Sequence, residues 1–102
     1  MALKEQIDNK TAKIGVIGLG YVGLPLAVEF AEKGFSVLGI DNDEGKINKL
    51  NSGKNYIDDV EDAKLERAVS AGLLHSTTNY DTVGDLDVIF ICVPTPFSKN
   101  KE

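Results

Sequence analysis

Lys13-Ile14-Gly15-Val16-Ile17-Gly18-Leu19-Gly20-Tyr21-Val22-Gly23 is the stretch that decides the fold. Its first five residues are almost all apolar and strand-sized, which predicts a buried β-strand. The strand runs directly into G-x-G-x-x-G. Beyond it, Val22, Leu26 and Phe30 recur every four residues with Ala27 and Ala31 beside them, as on one face of a helix opening near Tyr21. Pro25 fits such a helix, because amide donors of the first turn have no intrahelical acceptor to lose.

Gly34 supplies a helix stop, and Phe35 to Asp41 reads as a second strand ending in a carboxylate. Asp43 is placed to cap a further helix with Ile47 and Leu50 inward, ended by Asn51-Ser52-Gly53. Residues 54 to 60 read as a loop. Glu61 to Ala71 carries another helical pattern closed by Gly72, followed by a short strand from Leu73 to Thr77. After a polar stretch, Asp87 to Val93 is nearly continuous apolar sequence, as expected of a parallel strand covered on both faces. Residues 1 to 12 show no sustained period and are expected to form a flexible lead-in.

Strands alternating with helices imply a parallel sheet with right-handed crossovers. The expected fold is α/β, the first half of a Rossmann doubly wound sheet with strand order 3-2-1-4, in residues 13 to 102.

The glycine pattern gains meaning from its context: it follows a strand, opens a helix, and is followed by Asp41 eighteen residues after Gly23. In a dinucleotide site Gly18 permits the tight turn, Gly20 lets the backbone approach a pyrophosphate, and Gly23 lets helix and strand pack closely. The amides of Tyr21 and Val22, at the positive end of the helix dipole, are then donors to the pyrophosphate without any lysine. Asp41 is placed to accept from the adenosine ribose hydroxyls and to repel a 2′-phosphate, which favours NAD over NADP; the competing reading is a solvated loop acid. Lys46 either reaches the adenosine side or faces solvent. Thr95, between Pro94 and Pro96, falls at the carboxyl edge of the sheet, where ligands of open α/β folds bind; an ordinary rigid loop is the alternative.

Composition narrows the classes. The 102 residues are 42% hydrophobic and 26% charged, an ordinary globular balance, and the length allows one domain. A net charge of −5 with no basic cluster argues against nucleic acid as a partner. The apolar runs are strand-sized, far below the ~20 residues of a membrane span, and the first twelve residues lack the layout of a secretory signal, so the chain is expected in the cytoplasm. Cys92 is the single cysteine and lies within an apolar strand pattern, so core packing is its expected role. His75 has no evident carboxylate or serine partner, and the Asp58-Asp59, Glu61-Asp62 run lacks calcium-loop spacing, so neither a catalytic residue nor a metal site is expected.

Residues 13 to 27 resemble the opening of the UDP-glucose/UDP-N-acetylmannosamine dehydrogenase family, and Gly39-Ile40-Asp41 with Lys46, Leu50-Asn51-Ser52-Gly53, and Cys92-Val93-Pro94-Thr95-Pro96 match later blocks in order. Tyr56-Ile57-Asp58-Asp59-Val60 departs from the Pro-Ile-x-Glu pattern of the UDP-glucose enzymes and is similar to the UDP-N-acetylglucosamine 6-dehydrogenase branch. The resemblance implies NAD-contacting roles for Tyr21, Val22, Asp41, Lys46 and Thr95, with Thr95 toward the nicotinamide half. It also implies a parent that oxidises the C6 alcohol of a UDP-sugar to a carboxylate in two NAD-dependent steps. The family's catalytic segments lie downstream, so the chain is expected to be an NAD-binding front part, inactive alone, that self-associates through an exposed fourth-strand edge. A stand-alone NAD or ADP sensor and a fragment of a hydroxyacid-type Rossmann dehydrogenase are the alternatives.

Overall fold

In a computed structural model, residues 2–58 and 60–92 are described. Their elements run α1 (Leu3–Asp8), β1 (Lys13–Ile17), α2 (Gly23–Glu32), β2 (Ser36–Ile40), α3 (Glu44–Asn51), α4 (Asp62–Ser70), β3 (Leu74–Thr77), a 3-10 segment (Tyr80–Asp85) and β4 (Val88–Ile91). The four strands form one parallel sheet in the order β3-β2-β1-β4, as the sequence predicts. Ile14 pairs with Val37 on one side and Val88 on the other, so β1 lies at the centre.

Strand alternation assigns the two faces. Ile14, Val16 and Val37 are buried with Leu24, Ala27, Val28 and Ala31 of α2 and Leu65 and Ala68 of α4 in one core. Phe30 of α2 stacks on Phe90 of β4, with ring centroids 5.3 Å apart, and meets Phe35 edge-on at 5.7 Å. Such aromatic pairs add roughly 0.5–1.5 kcal/mol each beyond area burial. At the start of β4, Asp87 exchanges two hydrogen bonds with Lys13: its carboxylate accepts from the Lys13 amide and its amide donates to the Lys13 carbonyl, both at 2.8 Å. This pair sets the register of the non-local β1–β4 contact.

Helix ends follow the chemistry read from the sequence. Asp43 is the N-cap of α3, its carboxylate accepting from the Lys46 amide at 3.2 Å. Gly34, Gly53 and Gly72 follow the caps of α2, α3 and α4 with left-handed φ of 99°, 75° and 74°. Pro25 is the third residue of α2, inside the first turn.

The lead-in carries a helix, α1, in which no residue is buried; six residues present too little apolar surface for a period to register. One expectation is corrected: β4 is not covered on both faces, since Phe90 packs against α2, whereas Ile89 and Ile91 on the opposite face are 41% and 71% exposed. The apolar run reads as a two-sided strand because hydropathy reports what a strand is suited to bury, and among the described residues this face is left partly open.

The tightest packing lies where β1 hands over to α2. A Cβ built on Gly23 would stand 1.6 Å from the Gly18 carbonyl oxygen and 2.8 Å from its carbon. Both are backbone atoms, so no rotamer relieves the overlap. Gly23→Ala is therefore expected to lower unfolding stability by about 3 kcal/mol or more in urea denaturation; an unchanged midpoint would show that helix and turn separate easily.

Candidate dinucleotide-binding site

The site grows out of the turn from β1 to α2. Gly18 has φ of 94°, a conformation that side-chain-bearing residues rarely adopt, and its amide donates to the Ile40 carbonyl at 2.7 Å. The turn is thus tied to the end of β2. Leu19 then buries its side chain completely, against a position where β2 carries Gly39; a Cβ there would come within 2.9 Å of both Leu19 methyl carbons.

Asp41 completes the tie. Its Oδ2 accepts from the Leu19 amide at 2.8 Å and its Oδ1 from the Asp43 amide at 2.9 Å. At 8% exposure it is not a solvated loop acid, and that alternative is discarded. Hydrogen bonds from neutral donors to a charged group contribute about 1.5–3 kcal/mol, and a buried carboxylate deprived of them is strongly disfavoured. A carboxylate has roughly four acceptor positions, so both oxygens retain capacity for further donors.

Gly20 is different from its neighbours. Among the described residues a Cβ built there would meet nothing within 4 Å, and its φ is not in the left-handed region. Neither strain nor internal packing asks for glycine at this position, whereas close approach of a ligand to the backbone does. Its carbonyl accepts from the Leu24 amide at 3.1 Å, which starts the helical turn, and the Val22 carbonyl accepts from Leu26 at 3.3 Å. The amides of Gly20, Tyr21 and Val22 have no acceptor among the described residues. Tyr21 and Val22 are 76% and 67% exposed. Three adjacent free donors at the positive end of the ten-residue α2, beside a glycine open to approach, suit a diphosphate.

Sequence reasoning gave Tyr56 no part in this site. Its hydroxyl donates to the Leu19 carbonyl at 2.6 Å, across 37 residues of sequence. Burial, then the negative charges of Asp41 and Asp43, hold its pKa well above the ordinary phenol value, so it remains a donor throughout the neutral range. The loop that carries it is shaped by Asn55, whose side chain accepts from the Ile57 amide and donates to Asp62 and the Val60 carbonyl, and by the buried side chains of Ile57 and Val60. Only a pattern for loops that fold back on a glycine turn would have flagged it, and residues 54 to 60 have no periodicity of their own. Lys46, on α3, sits with Nζ 5.9 Å from the Tyr56 ring centroid, within reach of a cation–π attraction.

Gly18, Gly20, Tyr21, Val22, Gly23 and Asp41 thus meet around one turn, and Lys46 joins them through Tyr56. Thr95 lies outside the described residues. Cys92 donates its amide to the Ile17 carbonyl at 2.7 Å and packs partly buried on the core. A cleft of about 480 Å³ lies beside the Tyr56 loop, lined by Asn55, Tyr56, Ile57, Asp58, Val60 and Asp62. Its carboxylates suit an anionic diphosphate poorly, so the open glycine edge is the better site despite being no cavity. Among the described residues no cluster of side chains suits a metal ion, and no helix is long and apolar enough to cross a membrane.

Residues 12–102 match the profile of the NAD-binding domain of the UDP-glucose/GDP-mannose dehydrogenase family. The chain belongs to that family. It is 41% identical over 87 residues to the UDP-N-acetyl-D-mannosamine dehydrogenase of Pyrococcus horikoshii, covering 84% of this chain and 21% of that protein. It is 40% identical over 93 residues to the UDP-N-acetyl-D-glucosamine 6-dehydrogenase of Pseudomonas aeruginosa, covering 91% and 21%. The GDP-mannose dehydrogenase of Pseudomonas aeruginosa, solved as a ternary complex, superposes with a TM-score of 0.80 at 41% identity, over 87% of this chain and 21% of that one. The chain therefore spans about a fifth of the length of these relatives. Its matched part is their NAD-binding part, and NAD is the cofactor of the domain.

Proposed function

We propose that the glycine turn binds the diphosphate of NAD through the amides of Gly20, Tyr21 and Val22, with Asp41 facing the adenosine ribose and Lys46 on the adenosine side. Among the described residues, the open space at Gly20 beside three amides without an acceptor carries this reading. Asp41 has a double task. Its amide-bonded oxygens fix the turn, and their remaining lone pairs accept from ribose hydroxyls while the charge disfavours a 2′-phosphate. Thr95 is assigned to the nicotinamide half on family resemblance. When bound, NAD supplies the hydride acceptor; the residues of this chain hold and orient it.

In the longer protein to which this front part corresponds, we place the oxidation of a UDP-sugar C6 alcohol to the carboxylate, one hydride passing to NAD in each of two steps and water supplying the second carboxylate oxygen. Support comes from relatives that are by name a UDP-N-acetyl-D-mannosamine dehydrogenase and a UDP-N-acetyl-D-glucosamine 6-dehydrogenase.

Calorimetric titration with NAD, ADP and NADP tests the cofactor reading. Gly20→Ala is a cleaner probe than any change at Asp41, since Asp41 also holds the turn together. NAD and ADP are expected to bind, NADP about tenfold more weakly, and Gly20→Ala to lose about tenfold or more in ADP affinity, near 1.4 kcal/mol, with little change in urea midpoint. Equal binding of NAD and NADP would remove the ribose role from Asp41. Undiminished ADP binding by Gly20→Ala would remove the diphosphate from the turn.

A second copy of the chain is a further proposed partner. β4 is an edge strand of the sheet formed by the described residues, and Ile89 and Ile91 stand exposed beside that edge. Sedimentation velocity is expected to show a species larger than the monomer whose proportion rises with concentration and falls for Ile91→Lys. A monomer at every concentration would refute the pairing.

A further inference from the structure

The inference drawn here rests on the diphosphate reading and deepens it. Leu19 is held at three points: its side chain is buried against Gly39, its amide is bound by Asp41, and its carbonyl is bound by Tyr56. The first two holds come from β2 and its end. The third comes from the loop between α3 and α4, outside the strand-helix-strand unit that forms the turn. It acts on the peptide group that joins Leu19 to Gly20. A trans peptide is planar, with its C=O and N–H directed oppositely. Fixing the Leu19 carbonyl toward Tyr56 therefore directs the Gly20 N–H away from it, on the residue whose surroundings are open.

We propose that Tyr56 is a positioning residue for cofactor binding: its hydroxyl, by holding the Leu19 carbonyl, orients the Leu19–Gly20 peptide so that the Gly20 amide is presented to a diphosphate. The hold adds preorganisation. Without it, the peptide plane can rotate, and a ligand must order it on binding. The hydroxyl stays protonated well above neutrality, because burial and the charges of Asp41 and Asp43 disfavour the phenolate, so the effect is constant between about pH 6 and pH 9. The bland alternative is that Tyr56 only fills its loop with an aromatic ring, a task phenylalanine performs equally well.

Tyr56→Phe separates the two, because it keeps the ring beneath Lys46 and removes only the donor. The 102-residue chain and this variant are titrated with ADP and with adenosine, which lacks phosphate, and Tyr80→Phe serves as a control for loss of a remote tyrosine hydroxyl. ADP affinity of Tyr56→Phe is expected to fall about tenfold, adenosine affinity to change less than twofold, and Tyr80→Phe to match the unsubstituted chain. ADP binding by Tyr56→Phe within twofold of the original overturns the inference and leaves the diphosphate reading standing. Failure of the unsubstituted chain to bind ADP overturns both. A second readout needs no variant, should the substitution unfold the chain. The Tyr56 hydroxyl proton is expected as a slowly exchanging NMR resonance that shifts with ADP and stays in place with adenosine; a resonance indifferent to ADP overturns the inference.

Discussion

The 2.8 Å bond from the Leu19 amide to the Asp41 carboxylate is the contact on which the rest depends. It joins the turn that leaves β1 to the residue that ends β2, so the two neighbouring strands finish at one point. Burying a carboxylate is unfavourable unless donors replace its water, and here backbone amides from both sides do so. The arrangement is mutually dependent: the turn supplies the donor that makes a buried Asp41 tolerable, and Asp41 supplies the acceptor that fixes the turn. In the proposed site the same carboxylate faces the adenosine ribose, so binding would inherit this geometry.

Three glycines of the turn serve three separate physical ends. Gly18 provides a left-handed backbone, Gly23 provides contact distance to the Gly18 carbonyl, and Gly20 provides neither, because no atom of the described residues lies within 4 Å of its missing Cβ. A motif of identical letters is therefore two parts internal structure and one part reserved space. That separation fits the proposed diphosphate position, since the other two glycines have internal reasons and Gly20 is left open to approach.

Much of this was legible in the sequence. The apolar run from Ile14 to Ile17 and the helix-stopping glycines depend on local periodicity and backbone conformation, and these survive in the finished fold. The helix itself was legible but its inward face was not: the buried stripe of α2 is Leu24, Ala27, Val28 and Ala31, whereas Val22 precedes the helix and is exposed, and Leu26 and Phe30 are only partly buried. Tyr56 was legible only as a branch marker, because its bond to the Leu19 carbonyl is created by tertiary folding of a loop without period. The 3-10 segment at Tyr80–Asp85 was likewise read as polar connection; its Asn79 cap on the Asp81 amide is a short-range turn signal that polar composition hides. Asp41 was read as a ligand contact, but its internal role needed the structure, since sequence spacing does not show which backbone amides a carboxylate meets.

The most direct measurement of the central claim is an amide shift map of the isotopically labelled chain on addition of ADP. If the turn is a diphosphate cradle, the Gly20, Tyr21 and Val22 amides move most, downfield as charged acceptors shorten their hydrogen bonds, with smaller changes at Leu19 and Asp43 through Asp41. If those three amides stay in place while the largest shifts fall along the Asn55–Asp62 cleft, the ligand sits elsewhere and the account of the glycine turn is wrong.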